Sequence, residues 1–66
     1  MINLAHSIKE RRRVLKITQE ALSQISGVSL RSLKQLESGK GNPTWSQVNK
    51  ILEVLGWEMR LSERVQ

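Results

Sequence analysis

The sequence predicts a mainly α-helical domain of four short helices followed by one strand. Three observations carry this. Apolar residues recur at helical spacing in four segments, each opened by a Ser, Thr or Asn and most closed by a glycine. A single glycine, Gly27, separates the second and third segments. After Gly56 the period falls from 3.6 to 2, with Trp57, Met59 and Leu61 alternating with Glu58, Arg60 and Ser62.

The first helix follows Asn3, a plausible cap, and carries Leu4, Ile8 and Leu15 on one stripe. Arginine fills the slot between Ile8 and Leu15, so a core-facing guanidinium needs a carboxylate partner. Glu37 is the candidate, because it continues the inner edge of the third helix after Leu33 and Leu36, and Arg12 is preferred to Arg11 as its partner. The alternative is that both arginines reach out to water.

Thr18 caps the second helix, Glu20 lies in its first turn, and Leu22 and Ile25 form its inner face. Gly27 ends it, Ser23 is small where two helices approach closely, and Val28 plugs the corner. Ser29 caps the third helix, which ends at Ser38 and Gly39 before the turn from Lys40 to Pro43. Thr44 and Gln47 form a capping box for the fourth helix. Trp45, Val48, Ile51, Leu52 and Leu55 make its stripe. This divides the chain into a helical domain over 1–56 and a dimerisation strand with tail over 57–66. The closing strand has no alternating partner in its own chain, so pairing with a second copy is the simplest way to satisfy its backbone. A short fifth helix or a frayed tail is the other reading.

Sixty-six residues make one small domain, and the chain has no cysteine, which excludes disulfides and thiolate metal sites. Domains of this size gain from oligomerisation when such staples are lacking. The net charge is +5 and is unevenly placed, with nine of the lysines and arginines in the first fifty residues. A polyanion partner on one surface and a protein contact near the C-terminus fit that distribution; a merely solvated basic surface is the bland alternative. No apolar run approaches a membrane span and no signal-peptide core follows Met1, so a cytoplasmic location is expected. One histidine, no aspartate and scattered glutamates build no metal site, nucleophile–base pair or carboxylate dyad, so neither enzyme activity nor a cofactor is expected. Gly39-Lys40-Gly41 lacks the strand and spacing of a phosphate-binding loop. Trp45 and Trp57 occupy stripe positions, which favours packing over base stacking.

Two short helices around a glycine, the second opening on polar and basic residues, meet the requirement for crossing a DNA backbone and entering the major groove. Thr18-Gln19, the Ser23–Gly27 pair, Leu33, Leu36-Glu37 and Gly39-Lys40 resemble the lambda-repressor-like family of helix-turn-helix proteins, also called the Xre or Cro family, over roughly residues 4 to 55. The resemblance implies that Gln19 grips a phosphate, a role also favoured by the positive end of its helix. It implies that Ser29, Leu30, Arg31 and Gln35 face base edges, with Lys34 near the backbone or a base. Arg31 can donate twice to guanine and Gln35 can pair with adenine, whereas Leu30 offers only apolar contact. Ser38, Lys40 and Asn42 resemble a second phosphate clamp, and the Arg12–Glu37 pair is a recurring family feature.

The stretch from the fourth helix through Trp57-Glu58-Met59-Arg60-Leu61-Ser62 is similar to the HipB-type antitoxins. That similarity implies a homodimer with Trp57, Met59 and Leu61 in the interface and a near-palindromic operator on double-stranded DNA. It also implies repression of the protein's own operon and a HipA-type kinase toxin as partner. A stand-alone regulator, or a toxin inhibitor with weak DNA binding, are the competing expectations.

Overall fold

The computed structural model describes residues 3–58. Four helices follow in order: α1 (Leu4–Val14), α2 (Gln19–Ser26), α3 (Leu30–Glu37) and α4 (Trp45–Val54). Helix α3 packs against α1 and α2, and α2 against α4. One apolar cluster joins all four, made of Ile8, Leu22, Val28, Leu33, Leu36, Val48, Ile51, Leu52 and Leu55, with Leu4, Ile17 and Val54 at its edge.

Each helix begins on a side-chain cap. The side chains of Asn3, Thr18, Ser29 and Thr44 accept from the backbone N–H of His6, Ala21, Ser32 and Gln47 respectively. Gln47 returns the bond to the Thr44 N–H, completing a capping box.

The C-terminal ends differ in an instructive way. Gly39 and Gly56 adopt positive φ and build the same two-bond motif. At α4, the Gly56 N–H donates to Glu53 O at 3.1 Å and the Trp57 N–H to Leu52 O at 2.8 Å. Helix α1 closes with that pattern too, from Lys16 N–H to Arg13 O and Ile17 N–H to Arg12 O, yet the left-handed residue is Lys16 at φ 58°. No glycine or asparagine marks that turn in the sequence. The α2–α3 corner is tied by side chains: Ser23 Oγ donates to Val28 O at 2.6 Å, and the Val28 N–H donates to Ser26 Oγ at 3.2 Å. Ser23 is therefore a hydrogen-bonding strut as well as a small residue.

Some expected inward positions point outward. Ile25 is 67% exposed and Trp45 53%, and Leu15, at the end of α1, is exposed as well. Helix α2 has only eight residues, and Leu22 alone reaches the core from it, so the flank carrying Ile25 stays in solvent. Trp45 is the first residue of α4, at the end remote from the buried Ile51 and Leu52.

The expected C-terminal strand is not present among the described residues. Trp57 and Glu58 lie in neither helix nor strand, and the Trp57 N–H is committed to the cap of α4. The Trp57 ring is partly exposed, with the Arg11 guanidinium 5.5 Å from its centroid. Met59 and Leu61, the other two residues expected at a dimer interface, lie outside the described residues, as does the rest of that segment. No helix among the described residues is long and apolar enough to cross a membrane.

Candidate nucleic-acid interface

The site is built on a buried polar junction. Glu37, the last residue of α3, is only 7% exposed. A carboxylate at a helix C-terminus faces the negative end of the helix dipole and needs cations or donors to stay there. Arg12 supplies a two-pronged contact: Nε donates to Oε2 at 2.8 Å and Nη2 to Oε1 at 3.0 Å. The remaining prong, Nη1, donates to Ile17 O at 2.9 Å. Gln19 Nε2 completes the carboxylate's shell at 3.2 Å from Oε1. No buried side-chain nitrogen or oxygen among the described residues lacks a partner.

This arrangement fixes α1, the loop after it, the start of α2 and the end of α3 to one another. A guanidinium fork on a carboxylate has directional preference as well as strength, so it sets orientation. Gln19 therefore does two things at the entrance to α2. Its carboxamide is anchored on Glu37, while the first-turn amides of Gln19 and Glu20 have no partner within the helix, because helix geometry leaves them none. The Thr18 side chain takes only the Ala21 amide.

The outward face of α3 is formed by Arg31, Lys34 and Gln35, all exposed. Their spacing puts them on one side of the helix, opposite Leu33, Leu36 and Glu37. Leu30 sits on the flank and is half-buried, and Ser29 is committed to the cap. The Ser29 hydroxyl accepts from the Ser32 N–H at 3.1 Å and donates to Ser32 Oγ at 2.9 Å. Of the four residues expected at base edges, Arg31 and Gln35 share the open face, Ser29 is exposed with its hydroxyl engaged in the cap, and Leu30 is half-buried.

The loop after α3 is held against the helix. Ser38 Oγ donates to Gln35 O at 2.8 Å, and the Lys40 N–H donates to the same carbonyl at 2.9 Å. Lys40 and Asn42 are exposed and line a cleft of about 50 Å³ together with Ser32, Gln35, Gly41 and Gln47. That space accommodates water and is far below the roughly 300–1,000 Å³ of small-molecule sites. Ser32 and Gln47 join this cleft without having been expected there. Ser32 is signalled only by its spacing, one turn from both Ser29 and Gln35, and Gln47 only by its capping role. Arg11, the arginine not preferred as the partner of Glu37, donates from Nε to Leu55 O at 3.1 Å. Among the described residues no group of His, Cys, Asp and Glu is arranged to hold a metal ion.

The chain belongs to the helix-turn-helix family of the lambda-repressor and Xre kind, whose model matches residues 8–60. On that membership it is a DNA-binding regulator. Among curated proteins no match is found.

Proposed function

We propose that the protein binds specific sequences in double-stranded DNA and represses transcription, and that it does so without catalysis. Helix α3 enters the major groove with Arg31 and Gln35 at base edges. Lys34 lies beside the strand, and Gln19, Lys40 and Asn42 contact flanking phosphates. The observation that carries this reading is the cluster of Arg31, Lys34 and Gln35 on the open face of a helix whose base is locked by Arg12, Gln19 and Glu37. Phosphate contacts give register and base contacts give sequence.

The test is a fluorescence-anisotropy titration against the protein's own upstream DNA and a scrambled copy, at two salt concentrations. Preference for the native sequence by about 10³-fold or more supports an autoregulating repressor. Equal and steeply salt-dependent binding to both leaves only the electrostatic term and contradicts the reading.

The similarity of the segment after Gly56 to HipB-type antitoxins supports a narrower version. The protein is then a homodimer on a near-palindromic operator, with recognition helices about 34 Å apart, and it neutralises a kinase toxin encoded beside it. A chain truncated after Gly56 is expected to be monomeric by light scattering. Persistence of dimers would remove the segment from the interface.

A further inference from the structure

We propose that Gly41 determines base specificity by leaving the space in which the Gln35 carboxamide takes up its reading position. The inference rests on α3 reading DNA as argued above. Gly41 has a φ of 81°, and a Cβ built on it lies 3.1 Å from Gln35 Cβ, 3.2 Å from Gln35 Oε1 and 3.6 Å from Gln35 Cδ. Real Cβ atoms seldom make contacts as short as the first two, so a side chain at position 41 forces one partner to move.

Two adjustments relieve these contacts: the loop backs away slightly from Gln35 Cβ, and the carboxamide turns away from position 41. Gln35 Cβ is fixed to α3, whose end is pinned by the Arg12–Glu37 fork. The loop is pinned from the other side, since the Gln35 carbonyl takes hydrogen bonds from both Ser38 Oγ and the Lys40 N–H. Gln35 and Gly41 share a wall of the cleft bordered by Ser32, Asn42 and Gln47. Displacement at position 41 is thus shared with the end of the Gln35 side chain. Bidentate pairing with adenine needs the amide nitrogen and oxygen both in register with the base edge, so a small rotation of that group removes discrimination.

Gly39 provides an internal control. Its φ is 78°, nearly that of Gly41, but a Cβ there meets nothing within 4 Å. The two glycines carry the same backbone requirement, and only Gly41 carries the contact with Gln35.

The experiment compares wild type, Gly41→Ala, Gly41→Asn and Gly39→Ala by selection from a randomised duplex library, with base preference scored position by position. Asparagine tolerates positive φ but retains a Cβ, which separates the contact from backbone strain. Both Gly41 variants are expected to lose about tenfold preference at the base read by Gln35 and to keep the preference read by Arg31. Gly39→Ala is expected to stay within about twofold of wild type there. In a Gln35→Ala background, Gly41→Ala should change the profile no further. In the free proteins, the Gln35 side-chain amide resonances should shift in both Gly41 variants and not in Gly39→Ala. Unmoved Gln35 resonances, wild-type preference in the Gly41 variants, or an equal loss in Gly39→Ala would overturn the proposal. A wild type without base preference at any position would remove the DNA-reading role beneath it, an outcome the resonance measurement on free protein keeps distinct.

Discussion

At the junction of α1, α2 and α3, an arginine and a glutamine converge on Glu37 out of solvent, whereas on the outer side of α3 another arginine and another glutamine stand in solvent. Arg12 and Gln19 are satisfied within the fold. Arg31 and Gln35 are exposed on the outer face of α3, with the Gly41 loop against one side of Gln35. The same donor chemistry serves alignment in one place and recognition in the other, and what separates them is the buried carboxylate. A side chain that is already paired cannot read a base, and one that is to read a base needs a helix that does not move.

Removing that carboxylate should have the largest effect. Glu37→Ala strands a guanidinium that is mostly buried, and is expected to lower stability by about 3 kcal/mol in urea titrations followed by circular dichroism. Removing an exposed counterpart should do the reverse. Arg31→Ala is expected to leave the urea midpoint unchanged while costing about 1–3 kcal/mol on the preferred DNA and relaxing preference at one base. Lys40→Ala extends the contrast to the loop: binding should weaken on all sequences alike, with the slope of log K against log salt smaller by about one. The smallest effect concerns the frame itself. Lys16 holds a left-handed turn at the end of α1 that glycine adopts freely at Gly39 and Gly56. Relief of that strain exceeds the added entropy of an unfolded glycine, so Lys16→Gly should raise stability by about 0.5 kcal/mol in the same urea titration.

Local chemistry made much of this legible in the sequence. Asn3, Thr18, Ser29 and Thr44 announce caps because their side chains compete for nearby amides, and each is the cap observed. The Arg12–Glu37 contact was legible because a charge interrupting an apolar stripe demands a partner. What escaped is longer-ranged or compensated. Nothing at Arg11 signals a carbonyl 44 residues away at Leu55. The anchoring of Gln19 on Glu37 depends on how α2 meets α3, which spacing along one helix does not encode. Ile25 and Trp45 fit the periodic pattern but lie where short helices run out of core to cover them. The turn at Lys16 is held by two capping hydrogen bonds to α1 and by the packing of Ile17 against the core, which together override the residue's own preference. At the candidate site, the face holding Arg31, Lys34 and Gln35 follows from helical spacing alone. The engagement of the exposed Ser29 hydroxyl in the cap does not, because a hydroxyl can serve either role.

DNA reading by α3 is tested most directly by an amide chemical-shift map of the protein titrated with its own upstream duplex. Perturbations are expected to concentrate at Gln19, on α3 around Arg31, Lys34 and Gln35, and in the loop from Ser38 to Asn42. Perturbations centred on α4 around Trp45 and Lys50, with α3 unchanged, would contradict DNA reading by α3.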